Sequence, residues 1–311
     1  MAHSRFIRDT GLTVRMTTVM FLLGAAFVAL VVALMYIFPA YWWFFGLLGI
    51  GVAFYQWWSS DTLAMKAMRA REVTPEEAPE LHGMIDRLCA MADMPKPRVG
   101  VADLDIPNAF ATGRSPDRAV VCVTTGILGK LTAEELEAVL AHELSHVAHR
   151  DVLVMTLASS AGILAGMITR GAAWSGLGRR SSNGGAPTFL ITLGVSLVVY
   201  AISFLLIRLL SRYRELSADR AGAYLTGKPS ALASALTKLT GEISAIPNRD
   251  LRASQPMNAF FITPAVHGLS WSSATSTHPS LERRLEQLAD VAAELGRPMD
   301  GGFPTAPDAG Q

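Results

Sequence analysis

Residues 131–150 read LTAEELEAVLAHELSHVAHR, and both the fold and the chemistry turn on how that stretch is taken. Thr132 with Glu135 three residues later forms a capping box, and Ala, Leu and Glu dominate afterwards, so a helix runs from Thr132 to about Arg150. Inside it stands His142-Glu143-Leu144-Ser145-His146. Side chains four apart share a helix face, so both imidazoles can grip one ion while Glu143 leans over the same spot. Two zinc ligands and a general base for water are what this HExxH spacing offers. Stray His and Glu also occur on amphipathic helices, so the chain must supply a further ligand elsewhere. His149 is not that ligand: seven residues beyond His142 it lies roughly 10 Å along the axis, and it does not fit the longer HExxHxxGxxH pattern. It reads as an interfacial or structural histidine.

Composition narrows the class. Half of the 311 residues are hydrophobic and only 17% are charged, an apolar balance for a soluble protein. A net charge of +1 without a basic block argues against nucleic acid as a partner. Two cysteines, Cys89 and Cys122, make no disulfide framework and lack metal-ligand spacing, so a reduced, cytoplasm-facing catalytic portion with both thiols buried is the simpler reading.

The apolar residues gather in four runs. Met16 to Phe38 carries no charge and is long enough to cross a bilayer, and it meets Pro39-Ala40 and a second run, Tyr41 to Ser60, with aromatics at both ends. Uncharged stretches return at 152–169, directly after the HExxH helix, and at 188–207. Two membrane hairpins are expected (spans about 16–38, 41–60, 152–169 and 188–207), the second joined by a Gly/Ser/Arg-rich loop at 170–187. Arg5, Arg8, Arg15, Lys66, Arg69, Arg71, Arg208, Arg212 and Arg214 flank the spans on one side, which favours a cytoplasmic N-terminus and catalytic section, although Arg170, Arg179 and Arg180 in the 170–187 loop dilute the rule.

Between and after the hairpins lies the soluble part, expected at 61–151 and 211–295, with the Pro/Gly-rich tail 296–311 disordered. Pro75 to about Met91 reads as a helix with His82 in a surface or packing role. Pro97–Val101, Ile106–Thr112 and Ala119–Thr125 read as strands of a small antiparallel sheet, the last two joined by turn chemistry at Gly113–Arg118. Residues 211–226 continue span four as a helix, Ser230 to Ile243 forms another, 244–276 is a long loop, and Thr277–Ser280 opens a final helix, Leu281–Leu295.

A catalytic zinc needs a third protein ligand and one open position. On straight helices His142 and His146 stand roughly 15 and 9 Å before span three, and Glu215 roughly 12 Å after span four. Two neighbouring helices leaving one side of the membrane would bring the three to matching height, about 10 Å above its surface. Asp219, four residues on from Glu215, shares its face and can orient a ligand histidine through the free ring N–H.

His142-Glu143-x-x-His146, Glu215-x-x-x-Asp219, the strand Asn108-Ala109-Phe110-Ala111-Thr112-Gly113 and Thr277-His278-Pro279 together resemble the HtpX membrane zinc metalloproteases, bacterial relatives of the eukaryotic CAAX prenyl protease. The resemblance covers about residues 10–295. It implies a mainly α integral membrane protein of the bacterial cytoplasmic membrane, with four transmembrane helices and a cytoplasmic α+β gluzincin-like domain holding one zinc ion. It implies that Glu215 is the third ligand and that Asn108, with Ala109 and Phe110, belongs to an edge strand binding extended substrate backbone. His278 is implied as a transition-state stabiliser, and Arg284 as support for the site around Glu215. Polypeptide substrates, misfolded membrane proteins among them, are the implied partners, with quality control the implied role.

Two other classes have to be weighed. Processing of a lipid-modified C-terminus, as in the eukaryotic relative, needs a large chamber, for which four spans are too few. A membrane adaptor with structural zinc would fill the fourth position with protein, often cysteine, and has no need of Glu143.

Overall fold

The structure is a computed structural model, which describes residues 10–37, 42–156, 162, 165–166, 185–245 and 278–297. Two compact units emerge: one takes the described residues of Thr10–Trp58 and Leu153–Ser211, the other those of Ser59–Val152 and from Arg212 onward.

The first unit holds helices α1 (Thr10–Ile37) and α2 (Trp42–Trp58) and the beginning of a long later helix, Gly185–Thr226. Val14–Val32 and Leu193–Thr226 are long and apolar enough to cross a membrane. The 17 residues of α2 occupy the second expected span, whereas most of the third expected span and the loop at 170–184 lie outside the described residues. Leu30, Ala165 and Val199 bury one another, while Phe21, Val28, Leu47, Ile50, Ile191 and Val198 face outward. An apolar face that wide suits lipid rather than water.

The second unit begins with α3 (Ser60–Ala67), β1 (Ala70–Glu72) and α4 (Pro79–Ala92). Strands β2 (Arg98–Ala102), β3 (Ala109–Thr112) and β4 (Val120–Thr124) follow, then α5 (Thr125–Lys130) and α6 (Ala133–Ala148). The long helix Gly185–Thr226, here α7, leads on to α8 (Pro229–Ala245) and α9 (Leu281–Glu294).

The sheet is mixed, not antiparallel as the sequence suggests. Its order is β1-β2-β4-β3, with β2 and β4 parallel and both outer pairs antiparallel. Gly113, at φ +136°, and the 3-10 turn Pro116–Arg118 fold β3 back along one edge of β4. That leaves β2 the other edge, in the same direction as β4. Every residue of β4 is buried, as expected of a central strand covered on both faces.

Helix α6 starts as its sequence dictates: Thr132 Oγ1 accepts from the Glu135 N–H and Glu135 Oε2 accepts from the Thr132 N–H. Val139, Leu140 and Leu144 are wholly buried and share a core with Ile85, Leu88, Ile127, Leu232, Leu236 and Leu288, which ties α6 to α4, α5, α8 and α9. Where the sequence reading runs α6 straight into the next apolar stretch, the structure breaks it. The helix ends at Ala148, His149 caps it by holding the Ser145 carbonyl through Nδ1 at 2.8 Å, and Arg150 turns left-handed at φ +55°. Helix resumes only at Asp151, so heights counted along one straight axis do not apply here. His149 therefore has the structural role its spacing suggested.

Candidate metal centre and active site

Helix α6 presents His142 and His146 on one face, their Nε2 atoms 3.2 Å apart. Glu215 reaches them from α7, with Oε2 3.7 Å from His142 Nε2 and Oε1 3.5 Å from His146 Nε2. One donor atom from each of the three lies within 4.8 Å of the others, so the group could hold a metal ion. Three N or O ligands placed tetrahedrally at about 2.0–2.2 Å from zinc stand roughly 3.3–3.6 Å apart, so the donors already have metal spacing. Their charges fit as well. Glu143, Asp151, Glu215 and Asp219 are buried carboxylates, and Arg214 and Arg284 are the buried guanidiniums among them. With the carboxylates ionised and the imidazoles neutral, as metal binding requires, the cluster carries an excess of two negative charges, which a divalent cation would neutralise. Glu215 Oε2, though buried, makes no well-aligned hydrogen bond among the described residues.

Behind His142 stands Asp219, its Oδ1 2.9 Å from the ring Nδ1. Asp219 is wholly buried and accepts two hydrogen bonds from Arg284 of α9, Nε to Oδ2 at 2.7 Å and Nη2 to Oδ1 at 2.6 Å. Burial opposes its charge, but Arg284 and then His142 hold the carboxyl below its usual range. Arg284 Nη1 also lies 3.7 Å from Glu215 Oε2. His278 comes in just ahead of α9, with Nδ1 3.2 Å from the same Glu215 oxygen. It does not cap that helix: Ser280 does, accepting from the Arg283 N–H. Burial works against ionisation of Glu215 too, yet His278 and His146 hold its carboxyl well down.

Glu143 lies between the sheet and the ligands. Burial pushes its carboxyl above the usual range and Glu215 pushes the same way, against the attraction of His142 and His146 and a hydrogen bond from the Ala111 N–H. That last contact follows from the ladder. The Thr124 N–H donates to the Asn108 carbonyl, and antiparallel pairs alternate, so Phe110 and Thr112 turn their backbone groups to β4 while Ala109 and Ala111 turn theirs to the open edge. Asn108 heads that edge strand but is itself fully buried, its N–H and C=O both engaged by Thr124. The backbone turned away from β4 therefore belongs to Ala109, which is itself buried, and to Ala111, whose N–H is held by Glu143, rather than to Asn108.

A model of peptidase family M48 matches residues 75–292, a span that contains every residue of the site just described. The chain belongs to that family. It is 56% identical over 94% of its length to Protease HtpX homolog 1 of Streptomyces coelicolor, covering 97% of that relative. It is 48% identical to Protease HtpX homolog of Moorella thermoacetica, over 92% of this chain and 96% of the relative. To Protease HtpX homolog 2 of Methanosarcina acetivorans it is 47% identical, over 93% and 98%. Its fold is similar to that of S. mikatae Ste24p, with a TM-score of 0.52 and 21% identity over 89% of this chain and 65% of that one. With its candidate membrane helices, the chain is a membrane metallopeptidase of the M48 type.

Three parts of this M48 centre escape the sequence reading. Asp151 Oδ2 lies 2.5 Å from His146 Nδ1 and pairs with Arg214 of α7. Burial resists the charge on Asp151, but Arg214 and His146 keep its carboxyl low, and burial likewise opposes the charge on His146, whose pKa Asp151 and Glu215 nonetheless push up to about 10. Gly222 of α7 is the third part: a Cβ there would stand 2.9 Å from the His142 backbone nitrogen. A residue that reads as a weak point in the helix is what lets α7 approach the ligand. Cys89 and Cys122, by contrast, sit in the core, where burial pushes their thiols up to about 11 and about 12. His82 packs there as well, Nε2 3.0 Å from the Val73 carbonyl.

Proposed function

We propose that the protein is a zinc endopeptidase of the cytoplasmic membrane that cuts misfolded or damaged membrane proteins, with four spans and its catalytic part on the cytoplasmic side. One observation carries the reading: the spacing of His142, His146 and Glu215 around a common point, with Glu143 next to them. Zinc held by those three would supply Lewis acidity, lowering the pKa of water and polarising a carbonyl.

The chain's own residues do the rest. Glu143, whose buried carboxyl is held above its usual range, takes a proton from the attacking water and returns it to the leaving amine. His278 supports charge developing on the scissile carbonyl oxygen. Asp219, gripped by Arg284, fixes the His142 ring so that its Nε2 faces the ligand position. An extended substrate adds to the β3 edge through the backbone turned away from β4, the Ala111 carbonyl first because Glu143 holds the Ala111 N–H, a mode that binds main chain and accepts many sequences. Asn108 and Phe110 then act by shaping the strand rather than by offering its free edge.

Replacing Glu143 with Gln tests this directly. Turnover of an unfolded membrane substrate should fall by about 10²–10⁴-fold while bound zinc stays near one per chain. Undiminished turnover would remove the proton-transfer role.

A further inference from the structure

Asp151 lies five residues after His146, which on an unbroken helix points it roughly 140° away from that imidazole. It reaches the ring only because Arg150 is left-handed, a conformation that L residues other than glycine adopt at a cost. Its Oδ2 meets His146 Nδ1 and Arg214 Nη2, while Arg214 Nη1 donates to the Asp151 backbone carbonyl at 3.0 Å. Asp151 and Arg214 are 4% and 7% exposed, so water contributes little to either. Behind His142 the same order appears, with Asp219 and then Arg284. Each metal-facing imidazole thus has its own carboxylate, and each carboxylate its own buried guanidinium.

We infer that Asp151, gripped at both its side chain and its backbone by Arg214, is a positioning residue for His146, fixing the ring with Nδ1 protonated and Nε2 free for the metal. Arg214 and Glu215 are neighbours on α7, so one turn of that helix supplies both a ligand and the anchor that aims another ligand. The inference rests on the metal-site reading above, and its test is arranged to separate the two.

The test measures the zinc dissociation constant of the purified full-length protein by competition with a chelator, together with the visible spectrum of its cobalt(II) form. Asp151→Asn should weaken zinc binding about 10–100-fold and alter the cobalt bands. Thermal stability of the chelated protein should fall as well, because Asp151→Asn leaves the buried Arg214 charge unpaired, so zinc affinity and the cobalt bands are the deciding readouts. Arg214→Lys keeps the charge but loses the two-point grip, so it should weaken zinc binding by about 3–10-fold, and it decides the matter should Asp151→Asn not fold. Zinc affinity and cobalt bands unchanged in both variants, or unchanged in Arg214→Lys alone when the other does not fold, would overturn the inference. A wild-type protein that binds no stoichiometric zinc would instead overturn the metal-site reading itself.

Discussion

The two imidazoles of α6 are supported from behind by different kinds of backbone. His142 leans on Asp219, which sits in the uninterrupted interior of α7, four residues after Glu215 and three before Gly222. His146 leans on Asp151, which follows a helix end and a left-handed residue. The chemistry delivered is alike, a carboxylate on Nδ1 with a guanidinium behind it. Regular helix geometry places the first. A local break, with its own conformational cost, places the second. The difference teaches that a ligand pair four residues apart fixes only one side of each ring, and the other side can be met by any backbone that reaches it.

The heaviest blow to the regular side is Arg284→Met. It leaves Asp219 wholly buried without its two strongest hydrogen bonds, and breaking a buried pair in this way costs about 3–5 kcal/mol. Chemical denaturation of the chelated protein should show that loss. A cost under about 1 kcal/mol would mean that the cluster rearranges or admits water, and the parallel between the two supports would fail.

Gly222→Ala strikes the same side through packing alone. The added methyl meets the His142 backbone at a distance real side chains do not adopt, so α7 or α6 has to shift, for about 1–3 kcal/mol. Because the clash is at His142 and not at Asp151, the shift should also weaken zinc binding. An alanine there that changes neither stability nor zinc affinity would show that the close approach of the two helices is not what sets the ligand spacing.

The same contrast explains what could be read in the sequence. That Glu215 and Asp219 share one face was legible because helical periodicity carries side-chain direction along an unbroken helix, and α7 is unbroken from Gly185 to Thr226. The height match that pointed to Glu215, by contrast, assumed a straight α6 that the turn at Arg150 interrupts. Thr132 and Glu135 announced the start of α6, and the Gly113–Arg118 turn announced the β3–β4 hairpin. Asp151 was not legible: the residue that bends the chain is Arg150, and arginine gives no hint of a left-handed turn. Nor was the parallel β2–β4 pair, since turn signals pair only neighbouring strands, and β1 is three residues, Ala-Arg-Glu, without a strand-like pattern. Helix α5, TGILGK, has two glycines in six residues and forms because Thr124 caps it, accepting from the Ile127 N–H. Asn108 was placed rightly at the edge strand, but which backbone groups face outward depends on ladder alternation, which only the register reveals.

The smallest effect falls on the irregular side and separates its two properties. Arg150→Gly keeps the left-handed turn while removing the Cβ clash that a non-glycine residue suffers there, a relief of about 1–2 kcal/mol. Glycine also loosens the unfolded chain, which takes back about 0.5–1 kcal/mol. The net expectation is a slight gain in stability, about 0.5–1 kcal/mol, with zinc affinity unchanged because Asp151 stays where it was. Arg150→Val should do the reverse on both counts, since a β-branched residue resists the left-handed region and favours continuing the helix, which would swing Asp151 away from His146. Zinc affinity should then fall towards that of Asp151→Asn. If valine leaves affinity intact, Asp151 is held against His146 by Arg214 alone, and the break at Arg150 is only a way of ending α6.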